Sequence, residues 1–147
     1  MTTPLRTWAV RAVYAAVALH LLVGMLLPLL VNLPVLDDYH RAVVAAFWDV
    51  QPVPAQALAL QRWWMALFGP TVQAAAVWMW ALAWIGDRQR LPVAWGALIA
   101  GLLLWAPQDM WLSLRAGAWS HVWLDSVALA GMLPPLVYLY FNDRKSC

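Results

Sequence analysis

The sequence has no glutamate, a single cysteine and very little charge. Asp, Glu, Lys and Arg make up 11% of its 147 residues, where a soluble domain carries about a quarter. So sparse a set of charges cannot coat a water-facing surface, and much of the exterior must face hydrocarbon. All seven acids are aspartates, which argues against the Glu–Lys exterior of a soluble helical bundle. The lone thiol, Cys147, allows neither an internal disulfide nor a Cys-x-x-Cys redox or zinc pair. It follows Arg-Lys-Ser rather than an aliphatic pair, so it is not a prenylation signal. Net charge is only +2 and no Arg/Lys run exists to track phosphates, which excludes nucleic acid as a partner. Ser113, Ser120 and Ser126 have no Gly-x-Ser-x-Gly context. No motif has metal-ligand spacing, and no metal or cofactor is expected.

What is present is apolar: 65% of the residues are hydrophobic. At roughly 20 residues per crossing, the length holds about four helices in one domain. The pattern predicts an all-α integral membrane protein, a four-transmembrane-helix bundle spanning 1–147, with spans at 8–31, 62–85, 91–114 and 119–141. The first resembles a signal peptide in its basic flank. However, Ala12–Val31 is longer than a signal core and no cleavage site follows, so it reads as a retained anchor. Pro28 predicts a kink or early stop, and Gly69-Pro70 a kink in the second span. In the third, Gly96 and Ala97-x-x-x-Gly101 offer a small-residue face for close helix contact.

Between the first two spans, Asp37-Asp38-Tyr39-His40-Arg41 is too charged to cross a membrane. Residues His40–Val50 are expected to form a short interfacial helix in the first outer loop. Val43, Val44, Phe47 and Trp48 would make its apolar face, and His40, Arg41 and Asp49 its polar one. Basic residues set the orientation. Cytoplasmic N- and C-termini put Arg6, Arg11, Arg88, Arg90, Arg144 and Lys145 inside, against Arg41, Arg62 and Arg115 outside. The expected setting is a multi-pass protein of the lipid bilayer, in a bacterial inner membrane. Other membrane proteins or a second copy of the chain are the partners that suit it.

Most ionisable groups then fall on the outer side, and the hairpin Trp105–Asp125 holds the chief ones. Asp109 and Asp125 each sit roughly 10–12 Å along their helices from the turn at Ala116-Gly117, so they come to similar depth. His121 and Asp125, four residues apart, share one helical face. A lone acid facing lipid there costs at least ~2–3 kcal/mol, so both acids should turn inward to partners. Arg62, Arg115 and His121 are the expected partners, with Gln108 and His40 completing the polar network. Its two readings are an ion-pair lock that fixes helix packing, and a chamber that binds a ligand or moves protons. Asp109, His121 and Asp125 are the candidate catalytic groups on the second reading.

Deeper in the membrane, His20 and Gln73 are expected to hydrogen-bond each other, since each needs a buried partner. The tryptophans fall toward the two interfaces, as aromatic belts do. Two functions fit. One is a non-enzymatic subunit, assembly factor or scaffold of a membrane complex. The other is a membrane-embedded site that binds or converts a lipidic or quinone-like molecule.

Overall fold

A computed structural model describes residues 3–48 and 53–145; Asp49 and Cys147, both weighed above, lie outside them. The described residues form helices and turns, with no strand. Four helices are long and apolar enough to cross a membrane: α1 (Pro4–Leu30), α3 (Ala55–Gln89), α4 (Pro92–Arg115) and α5 (Trp119–Arg144). The chain is therefore a multi-pass membrane protein. A short helix, α2 (Asp37–Phe47), follows α1 after a 3₁₀ turn at Pro34–Leu36.

Local chemistry sets the ends. Thr3 caps α1, its hydroxyl accepting from the Arg6 amide at 3.3 Å, and Pro4 opens the first turn. Helix α3 stops where Arg90 adopts a left-handed conformation (φ 52°) and Pro92 starts α4. Gly117, at φ 72°, makes the turn into α5, which only glycine does without strain. Pro28, Pro70, Pro107 and the Pro134-Pro135 pair all lie within helices. Neither Pro28 nor Pro70 ends its helix, and the Gly24 carbonyl that the Pro28 ring leaves free accepts from the Gln73 amide of α3 at 3.0 Å.

The spans run longer than hydropathy alone indicates. Helix α3 has 35 residues, about 52 Å at ~1.5 Å per residue, against a hydrocarbon core of about 30 Å. Helix α5 continues past Phe141 to Arg144. Charge ends a hydropathy window, but it does not end a helix whose charges are paired.

Helix α1 packs on α3 and α5, and α4 packs on the same two, closing a ring of four. Val13, Val17, Ala83, Trp95, Leu98, Met132, Leu136 and Leu139 fill its centre. At glycines of α1 and α3 the two backbones come close together. A Cβ on Gly69 would lie 2.5 Å from the Pro28 ring, and one on Gly24 would lie 2.8 Å from the Gln73 amide nitrogen. The small-residue face expected on α4 holds at Gly96, whose Cβ would lie 3.3 Å from the Tyr140 ring of α5, and fails at Gly101. A Cβ on Gly101 would meet nothing within 4 Å, so Ala97-x-x-x-Gly101 makes no such contact. Gly86 of α3 gives room to the Trp95 indole, 2.7 Å from where its Cβ would be.

Candidate functional site

Two polar clusters lie at opposite ends of the ring, and each is built on a buried aspartate of α5. At the end holding both termini the aspartate is Asp143, fully buried. Arg6 approaches its carboxylate side-on, Nε donating to Oδ1 at 2.9 Å and Nη2 to Oδ2 at 3.0 Å. The Trp95 indole donates to Oδ2 and the Asn142 amide to Oδ1, both at 3.0 Å. Arg90 adds a longer ion pair of 3.6 Å. Arg6 also donates to the Asp87 carboxylate at 2.8 Å and to the Asp87 main-chain oxygen at 3.4 Å. An ionised carboxylate has about four lone-pair sites, and Asp143 has a donor for each. One guanidinium thus ties α1 to α3 and α5, while Trp95 brings in α4.

Sequence reasoning passes over this cluster, because Asp143 reads as part of a hydrophilic tail. One signal was present: Asp87 and Asp143 are the only acids on the termini side. A strong tie at an end rich in arginine needs an acid, and only two could supply it.

The opposite end gathers some of the expected residues and disperses others. Asp125 is buried, 4% exposed, and Asp109 and His121 lie within electrostatic reach of it. The His121 ring, one turn from Asp125 on the same face of α5, is hydrogen-bonded through Nε2 to the Tyr39 hydroxyl of α2. The two rings stand 5.6 Å apart between centroids. Burial first, and then the negative charges of Asp109 and Asp125, push the Tyr39 phenol up to about 12. Tyr39 thus joins the candidate group although its charged neighbours concealed it. Its spacing was the available signal: Tyr39, Val43 and Phe47 recur every four residues and share the cleft-lining face of α2.

The other expected members stand apart. Arg62 and Arg115 form no ion pair with Asp109 or Asp125 among the described residues, contrary to expectation. Arg115 is exposed and lies over the Trp111 ring, 4.9 Å from its centroid. Gln108 is exposed and donates to the Leu104 carbonyl of its own helix. His40 is buried rather than on a polar face, and both its nitrogens are occupied. Its Nε2 donates to the Val31 carbonyl at 2.8 Å, and its Nδ1 accepts from the Gln61 amide at 3.0 Å. It therefore clamps the end of α1 to α3. His20 and Gln73 do not pair either. His20 Nδ1 donates to Ala16 O at 2.9 Å, and Gln73 donates to Gly24 O at 3.0 Å. Both find carbonyls closer than each other, Gln73 because the glycine crossing lays the α1 backbone beside it.

Three buried polar atoms at this end have no hydrogen-bond partner among the described residues: Asp125 Oδ2, Ser120 Oγ and Arg62 Nε. At the same end α2, α3 and α5 border an open cleft of about 470 Å³, whose lining includes His121 and Gln61, the chain neighbours of Ser120 and Arg62. Val44, Phe47, Leu60 and Trp64 give it apolar walls, and Tyr39, Gln61 and His121 contribute the hydrogen-bonding groups. Few well-placed polar groups in an apolar cleft is the usual make-up of a small-molecule site.

No family model matches the chain, and neither a curated protein nor a solved structure does. The site is accordingly read from its own chemistry.

Proposed function

We propose that this membrane protein binds an amphiphilic lipidic or quinone-like molecule in the cleft beside α2, with Tyr39, His121 and Asp125 handling a proton at its polar head. The observation that carries this reading is the contrast between the two buried aspartates of α5. Asp143 has every lone pair matched, as a packing lock requires. Asp125 is almost as deeply buried, yet one of its oxygens has no partner among the described residues. A buried acceptor left unmatched costs ~1–3 kcal/mol, and more when charged. A group retained at such a cost marks a site better than it explains packing.

The chemistry follows from the order of groups. A carbonyl or hydroxyl head in the cleft meets Tyr39 and His121, each able to donate or accept. Asp125 stands one helical turn behind His121 as a proton reservoir shielded from bulk water. The apolar walls take the hydrocarbon part of the ligand.

In the same reading α2 lies in the membrane interface, both termini are cytoplasmic, and the membrane is a bacterial inner membrane. Six basic residues on the termini side against three on the other support the orientation. A reporter fused after Lys145 should behave as cytosolic, and an external signal would reverse the orientation.

Helix α3 favours a second reading, that of a non-enzymatic subunit, scaffold or assembly factor. Its buried residues are all small (Gly69, Ala76, Ala83 and Gly86), while Trp63, Trp64, Phe68, Trp78 and Trp84 point outward. That aromatic face suits a second membrane protein as well as lipid. Purification in mild detergent, with co-purifying proteins and extracted small molecules both identified by mass spectrometry, separates the two. The site reading expects a lipidic molecule that wild type retains and the Tyr39→Phe and Asp125→Asn variants lose while remaining folded. Stoichiometric recovery of a protein, with no small molecule sensitive to these variants, would replace it with the subunit reading.

A further inference from the structure

We infer that the lipid-facing groove between α1 and α3 seats an acyl chain of an anionic phospholipid, with Arg11 and Arg88 holding its phosphate. The groove encloses about 490 Å³ between Tyr14, Val17 and Leu21 of α1 and Ala76, Val77 and Trp80 of α3. No charged side chain lines it, so its body suits hydrocarbon. It is separate from the cleft beside α2, shares no lining residue with it, and does not rest on the function proposed for that cleft.

The polar end of the groove identifies the occupant. Residues 11, 14, 18 and 21 recur at intervals of three and four, so Arg11 lies on the groove-lining face of α1, one turn toward the termini from Tyr14. On α3 residues 77, 80, 84 and 88 recur in the same way and carry that face on to Arg88. The Tyr14 hydroxyl lies within electrostatic reach of Asp87 and, less strongly, of Arg88, which sets both at the same end. Both arginines are exposed, and neither forms an ion pair among the described residues. Arg11 stands over the Trp8 ring, 5.8 Å from its centroid, which holds its guanidinium at headgroup level.

The nearby acids are paired with other arginines. Asp87 is engaged by Arg6 at 2.8 Å, and Asp143 by Arg6 at 2.9 Å with Arg90 beyond. The buried lock thus consumes the acids of this end and leaves Arg11 and Arg88 as unneutralised cations at the mouth of an apolar groove. Guanidinium forks match phosphate oxygens geometrically, and basic residues beside helix clefts hold anionic headgroups. A zwitterionic lipid gains less, since its own cation opposes the arginines.

The test is native mass spectrometry of the full chain in mild detergent, with phosphatidylglycerol and phosphatidylcholine of identical acyl chains added in competition. Wild type should retain phosphatidylglycerol in roughly twenty-five-fold preference, about fivefold for each arginine. Arg11→Gln combined with Arg88→Gln should bring the preference to near unity, with the thermal midpoint unchanged because both side chains are exposed. Ala18→Trp, which fills the groove beside Tyr14, should cut phosphatidylglycerol retention with both arginines in place. Equal retention of the two lipids by wild type, or a preference that survives the double substitution, would overturn the inference. Retention unaffected by Ala18→Trp would overturn the acyl-chain seat.

Discussion

The Arg6 guanidinium meets the Asp143 carboxylate side-on, through bonds of 2.9 and 3.0 Å that join residues 137 apart in the chain. Around this one contact the other two spanning helices make their polar ties. Asp87 of α3 takes another of the Arg6 donors, and Trp95 of α4 occupies the far oxygen of Asp143. Removing one side of such a pair leaves the other as an uncompensated buried charge. Replacing both with apolar residues of similar volume does not.

Arg6→Ala should therefore cost roughly 3–5 kcal/mol of stability. It should lower both the thermal midpoint in detergent and the level of protein in the membrane. The double substitution Arg6→Met with Asp143→Leu should recover a good part of that loss. Midpoints of the two variants and wild type, measured by circular dichroism, check the order.

The two ends of α5 offer a matched comparison. Asp143→Asn removes the counter-charge of Arg6 and Arg90 and should clearly lower the melting midpoint. Asp125→Asn, the same chemical change 18 residues earlier in the same helix, removes a poorly satisfied acid. It should leave the midpoint unchanged or raise it, because neutralising an unmatched buried group lessens its burden. Equal losses in the two variants would mean that Asp125 is a packing group after all.

At the α1–α3 crossing, Gly69→Ala should destabilise by about 1–3 kcal/mol as the helices are forced apart. The new Cβ would meet the Pro28 ring at 2.5 Å and the Gly24 carbonyl oxygen at 2.7 Å. Gly101→Ala is the control. Its Cβ meets nothing within 4 Å, and alanine's better helix propensity, worth up to ~1 kcal/mol, should make that change neutral or mildly stabilising. Denaturant midpoints of the two variants should move in opposite directions.

Tyr39 sets a pH dependence. Its phenol is held protonated up to about 12, above the ordinary value of about 10. A group whose pKa is raised by folding contributes stability that is fully present below the unfolded value. That contribution is lost as pH climbs from about 10 through about 12. Tyrosinate absorbance should show a component with its midpoint near pH 12 that vanishes in Tyr39→Phe. A full phenolate signal by pH 10.5 would remove Tyr39 from the buried cluster.

Hydropathy made the four crossings legible, and helix periodicity placed His121 and Asp125 on one face of α5. Neither could show that Arg62 and Arg115 leave the two acids unpaired, since a pairing depends on how whole helices rotate. Asp143 was concealed for a related reason. An acid among Asn142, Arg144 and Lys145 looks solvated until Arg6 covers it from the other end of the chain. Tyr39 and His40 were obscured by the charged run around them, although the four-residue spacings to Val43 and Val44 mark both as inward-facing. Local pattern carries helix and depth; it carries partners only when they share a helix.

The Arg6 contact also imposes an order on biogenesis. A chain inserted from its first helix onward carries Arg6 into place long before α5 exists. Asp87 of α3 becomes available first and can hold the guanidinium alone, with some of its donors still open. The final acceptor is made 56 residues after Asp87, so the ring closes only when the last helix docks. Until then the Arg6 guanidinium has only part of its donors matched, and the lock that joins the first helix to the last is still open.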